Sequence, residues 1–162
     1  MIVSPKNAAE NVLLAKWACD ILGDELETFG FDRYGNPLFT SLGFSVKNEM
    51  ACVVVAYQYI KPNICMAFAS KNPRWATKGN IKALGEWAFD TLDCERVTAF
   101  VKKNNKRARK FDEGIGFQHE GKLRKACDDG DIIIYGLLKE DHEKWLRKAF
   151  NGQKGIDNGS GP

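Results

Sequence analysis

The longest uninterrupted apolar run in the chain, the eight residues 50–57, is dense in valine and far shorter than the roughly 20 apolar residues of a membrane-crossing helix. It reads as the heart of a strand over residues 51–60, the strongest strand signal in the sequence. Residues 39–46 and 64–70 read as strands on either side, the second reached through the turn at Lys61-Pro62-Asn63, so the middle of the chain is an antiparallel meander. Before it, residues 5–22 read as a helix with Ser4 as cap, Pro5 in the first turn and Gly23 as a left-handed stop. After it the period changes. Ile81, Leu84, Ala88 and Leu92 give a helix over 78–92, and Val97, Ala99 and Val101 give a strand over 96–101. A short basic helix over 105–113 follows, then strands over 117–126 and 131–139 joined by a turn at Cys127-Asp128-Asp129-Gly130, then a closing helix over 140–150. This order predicts a mixed α/β (α+β) class.

One domain over residues 1–150 is expected, with a Gly-rich polar tail over 151–162 that is expected to be disordered. The content, 44% apolar and 28% charged, argues against a disordered chain, and a formal net charge of +3 does not announce a general nucleic-acid binder. Residues 1–11 lack the basic start and apolar middle of a signal peptide, so a cytoplasmic location and no membrane association are expected. The five cysteines form no Cys-x-x-Cys pair, which suits reduced, mostly buried thiols and no metal site. The charge is uneven: six of the nine residues 102–110 are basic. Such a run is either a solvated face or a phosphate contact.

The most informative segment lies where the strand ending near Ser70 passes through a short loop containing Pro73 and Gly79 into the helix at 78. Such a turn aims unpaired backbone N–H groups and the positive end of a helix dipole at one point, which suits a phosphate or pyrophosphate. Arg74 and Lys78 add charge. The alternative is an ordinary strand-to-helix turn that binds nothing. The segment has neither the Gly-Lys-Ser/Thr of a nucleotide P-loop nor the three glycines of a dinucleotide fingerprint.

A second segment carries Asn105, Ala108, Gly116-Phe117, Glu120-Gly121 and Arg124. In that register it resembles the GNAT acyl-coenzyme A N-acyltransferases, most closely the branch of bacterial ribosomal-protein N-terminal acetyltransferases. The family's other signature, Arg/Gln-x-x-Gly-x-Gly/Ala, is met by Arg74-x-x-Thr77-x-Gly79, with Thr77 in place of the first glycine. The resemblance covers about residues 39–140 and implies a single-domain GNAT fold: a mixed, mostly antiparallel twisted sheet flanked by helices and splayed at the acetyl-CoA site. It implies acetyl-CoA as co-substrate, with pyrophosphate on the backbone of Arg74, Thr77, Lys78, Gly79 and Asn80. The pantetheine arm would lie along Phe68, Ala69 and Ser70, with Asn105 touching it. Arg109, in the basic run, is a candidate for the 3′-phosphate.

The implied reaction is direct attack of a neutral primary amine on the thioester in a ternary complex, the acceptor being a protein N-terminus, a lysine or a small amine. Many family members place a Tyr four residues after the Ala108 position as proton donor to the thiolate; here that residue is Asp112. A carboxyl at its ordinary pKa of about 3.9 is ionised at neutral pH, so either burial raises that value, water supplies the proton, or the register is displaced by one. Asp112 also reads as a plain helix-surface residue. Glu49 and His119 are candidate bases, and Glu120 is expected to pair with Arg124. Tyr34, Tyr57 and Tyr59 either line an acceptor groove or pack the sheet. The rival function is a non-catalytic coenzyme A-binding or protein-interaction module on the same fold. No nucleic-acid partner is expected, and the chain is expected to be a monomer or homodimer.

Overall fold

The structure, a computed structural model, describes residues 1–151; the expected disordered tail, apart from Asn151, lies outside the described residues. The chain divides into two compact units, Met1–Asn80 and the described residues from Ile81 onward.

In the first unit, strands β1 (Ile2–Val3), β2 (Thr40–Val46), β3 (Glu49–Ile60) and β4 (Asn63–Ser70) pair antiparallel in that order. Residues 51–56 of β3 are all at most 1% exposed, so the valine-rich run is covered on both faces. Helix α1 (Ala8–Leu22) covers one face, where Ala15, Ala18 and Cys19 pack with Phe29, Phe39, Val53, Val55 and Ala69. On the other face the ring of Trp75 packs against Phe44 of β2, with centroids 4.8 Å apart. The expected start of α1 shifts by three residues. Asn7, not Ser4, is the cap, accepting from Glu10 N through Oδ1 at 2.9 Å, while Glu10 Oε2 accepts from Lys6 N. The residues before it are occupied instead by β1, a two-residue strand whose pairing with Gly43 and Phe44 no local pattern announces.

In the second unit, β5 (Arg96–Lys102), β6 (Gln118–Cys127) and β7 (Gly130–Leu138) form an antiparallel sheet with β7 in the middle. Helix α2 (Lys78–Glu86) ends sooner than expected and passes into a π-helical turn, Trp87–Thr91, in which Leu92 N bonds five residues back to Trp87 O. The wider turn leaves both Ala88 and Phe89 buried. Helices α3 (Lys106–Gly114) and α4 (Lys139–Asn151) complete the unit. Glu120 does not pair with Arg124. Its carboxylate takes a forked pair of bonds from the Arg96 guanidinium on β5, and Gly136 of the intervening strand supplies the space, because a side chain there would collide with that carboxylate. All five cysteines are free thiols, four of them buried, as the sequence suggests. Among the described residues no helix is long and apolar enough to cross a membrane.

The imidazole of His142 on α4 lies directly against the backbone of Gly85 in α2, stacked 6.2 Å from the Trp145 ring and 5.7 Å from Phe89. It is 5% exposed, its Nε2 has no partner, and burial holds its pKa below the ordinary value. Gly85→Ala would place a methyl group inside that ring. We expect the substitution to destabilise the fold by about 1–3 kcal/mol in chemical denaturation, outweighing the gain in helix propensity of about 1 kcal/mol. A neutral or stabilising result would show that the ring is free to swing away.

Candidate coenzyme and proton-transfer site

The first unit supplies the strand-to-helix turn. β4 ends at Ser70, a 3-10 turn over Pro73–Trp75 follows, and α2 begins at Lys78. Thr77, which replaces a family glycine, is the cap: its Oγ1 accepts from Asn80 N at 3.1 Å. Asn72 caps the 3-10 turn in the same way, accepting from Arg74 N at 3.0 Å. Arg74, Thr77, Lys78 and Gly79 are exposed, and no acid lies in the first turn of α2. A Cβ built on Gly79 would meet nothing nearer than Thr77 Oγ1 at 4.0 Å, so the helix start is open to approach by a bulky group. Backbone donors at the positive end of a dipole, with cations beside them and no acid in the first turn, suit an anionic group such as a pyrophosphate. Phe68 is half-buried, Ala69 is fully buried against α1, and the Ser70 hydroxyl accepts from Trp75 Nε1 at 3.0 Å.

Glu49 is not brought to the middle of β4. The register pairs Val55, Val54 and Val53 with Ala67, Phe68 and Ala69, so Glu49 lies four to six residues further along β3, about 13–20 Å away. It lines instead a cavity of about 590 Å³ with Trp17, Met50, Lys71, Asn72 and Pro73. Of the three tyrosines, only Tyr57 packs in the core, 5.1 Å from the Phe29 ring, and burial pushes its hydroxyl up to about 12. Tyr59 is half exposed, and Tyr34 is exposed under the Arg33 guanidinium.

The second unit supplies α3. Asn105 is its cap, with Oδ1 accepting from Ala108 N at 3.1 Å. Arg109 is partly committed. Its Nε donates to the Tyr135 hydroxyl at 3.2 Å and Nη1 to the Lys103 carbonyl, while Tyr135 donates to Glu113 Oε1 at 2.7 Å. This network, which ties α3 to β7, was hidden in the sequence because Tyr135 lies 26 residues from Arg109 and 22 from Glu113. Within the basic run, Lys102 and Lys103 pair with Asp129 and Asp131. Lys106, Arg107 and Lys110 stay exposed.

Asp112 is not a helix-surface residue. It is 2% exposed, and burial, reinforced by the neighbouring Glu113 charge, pushes its carboxyl up to about 7. A carboxyl in that state keeps its proton for much of the time at neutral pH. No local pattern signals its burial: Asp112 follows four cations, Lys106, Arg107, Arg109 and Lys110, and is itself followed by a second acid, Glu113. His119 is exposed on β6, its ring edge-on to Tyr135 at 5.8 Å. Among the described residues no cluster of potential ligands could hold a metal ion.

No family model matches the sequence, and no curated protein matches it. Among solved structures, a protein classed as an acetyltransferase from T. thermophilus is 24% identical over 74% of this chain and 69% of its own, with a TM-score of 0.60. The spermidine/spermine N-acetyltransferase SpeG of Vibrio cholerae is 13% identical over 89% of this chain and 95% of its own, with a TM-score of 0.59. A GNAT-family acetyltransferase from Bacillus anthracis is 19% identical over 64% and 68%, with a TM-score of 0.50. Strand order, flanking helices and these likenesses agree: this chain has the fold of the GNAT acetyltransferases.

The raised Asp112 value fixes a pH dependence of stability. Unfolding returns the carboxyl to about 3.8, so the fold favours its neutral form. That contribution is intact below about pH 4 and is lost as pH rises through about 7, amounting to at most about 4 kcal/mol. Asp112→Asn, a neutral isostere, has nothing to lose. Denaturation at pH 5 and pH 8.5 should show the variant gaining stability relative to the parent at the higher pH; parallel curves would contradict the assignment.

Proposed function

We propose that the protein is an acetyl-CoA-dependent N-acetyltransferase that acetylates a primary amine by direct attack in a ternary complex. The observation that carries this reading is the open, cation-flanked, acid-free start of α2 directly after β4, in a chain with the fold of acetyltransferases. Bound acetyl-CoA supplies the thioester, whose C–S bond breaks as the amine nitrogen forms the new C–N bond. The backbone of Thr77, Lys78, Gly79 and Asn80 holds the pyrophosphate, and Arg74 adds charge. The N–H groups of Phe68 and Ser70, which by strand register point away from β3, pair with the pantetheine arm and donate to the oxygen that gains negative charge. Removing one such donor costs about 2.7 to 4 kcal/mol in comparable enzymes.

Asp112 is the acid that protonates the departing thiolate. Burial gives it a proton to donate at neutral pH, which replaces the phenol that many GNAT enzymes carry at this position. In this reading the amine proton leaves to solvent, a choice supported by the position of Glu49 four to six residues along β3 from the residues paired with Ala67 to Ala69. The larger share of the rate comes from holding amine and thioester together, worth roughly 7 to 11 kcal/mol in well-oriented systems.

Thiol release measured with an amine and peptide panel tests the reading. Asp112→Asn should lower kcat about 100-fold and abolish the loss of activity above about pH 7 that the parent shows, because only the protonated carboxyl donates. Gly79→Trp should abolish coenzyme binding while leaving the melting temperature of the free protein within a few degrees. A parent that releases no thiol with any amine, yet is stabilised by coenzyme A, would point to the non-catalytic module instead.

A further inference from the structure

The loop that receives the coenzyme phosphates in this reading is shaped by a residue that belongs to neither family signature. Trp75 is 2% exposed and held at three points. Its ring packs on Phe44 of β2. Its indole Nε1 donates to Ser70 Oγ at 3.0 Å, which closes the loop onto the last residue of β4. Its carbonyl accepts from Thr77 N at 2.8 Å and from Asn80 Nδ2 at 2.6 Å, the cap and the third residue of α2. One buried side chain and its own carbonyl thus connect the sheet, the end of β4 and the start of α2.

We propose that Trp75 is a positioning residue for the phosphate site, fixing the first turn of α2 relative to the end of β4; the inference rests on the coenzyme reading above. The ring does two separable things. Its apolar face fills the space over Phe44, and its N–H sets the loop. A buried indole N–H takes a partner, and this partner lies on the loop's own threshold rather than in the core. Trp75→Phe keeps an aromatic ring over Phe44 and deletes the bond to Ser70. It strands no buried acceptor, because Ser70 is exposed to water. The fold therefore persists while the loop loses its indole bond to the end of β4.

Steady-state kinetics of Trp75→Phe should show KM for acetyl-CoA raised about five- to tenfold, the weight of one net hydrogen bond, with kcat reduced less than about twofold. The melting temperature of the free variant should stay within about 4 °C of the parent. Trp75→Leu, which removes both contributions, should raise KM similarly and lower the melting temperature as well. A parental KM in Trp75→Phe would overturn the proposal, and so would a parallel fall of kcat, melting temperature and affinity, which marks a purely structural role. The two readings fail differently. If the parent protein shows no saturable dependence on acetyl-CoA, the coenzyme reading fails; if the parent saturates and Trp75→Phe matches it, only the role of Trp75 does.

Discussion

The first unit depends on one constraint: residues 51–56 of β3 are buried on both faces and must be covered on both. α1 covers one side with small residues, Ala15 and Ala18, which let the helix sit close to Val53 and Val55. The other side is closed by Phe44 and by the ring of Trp75, which lies in the loop and not in any strand. A loop residue is therefore part of the core, and burying its ring, worth on the order of 2 kcal/mol or more, orders the loop that carries it. The same packing that stabilises the sheet thereby fixes the loop that leads into the first turn of α2.

The second unit solves a different problem. Four of the first five residues of α3 are cations, yet Asp112 in its last turn is buried. The Arg109–Tyr135–Glu113 network uses the neighbouring acid and base for attachment to β7, leaving Asp112 with burial and the Glu113 charge as its electrostatic surroundings. A carboxyl in that state is costly to ionise, which is an asset only where a proton must be given away near pH 7. Ordinary packing would have been served by Asn or Leu, so the choice of Asp favours a chemical role.

The strands, their meander and hairpin, and the strand-to-helix turn after β4 were legible because period-two patterns and the Pro73–Gly79 loop are local signals. What escaped was set by distant partners. The cap of α1 moved from Ser4 to Asn7 because β1 claims the residues before it, and its pairing depends on Gly43, some 40 residues away. The π-helical turn after Glu86 keeps the helical spacing of apolar residues and shifts it by one, which periodicity cannot resolve. Glu120 found Arg96 rather than Arg124 because Gly136, on another strand, leaves a gap between them. The candidate acid Asp112 came from register with a family, and only burial in the fold gave it a usable proton. Glu49, a candidate beside a turn, lies by strand register four to six residues along β3 from the residues paired with Ala67 to Ala69.

The central claim is that coenzyme phosphates rest on the first turn of α2. Backbone amide resonances followed by NMR while coenzyme A is added test it most directly. The account predicts saturable shifts concentrated at Thr77, Lys78, Gly79 and Asn80, with the Trp75 indole N–H resonance responding through its bond to Ser70. Saturable binding that leaves those amides unmoved, or no binding at millimolar coenzyme, would contradict it.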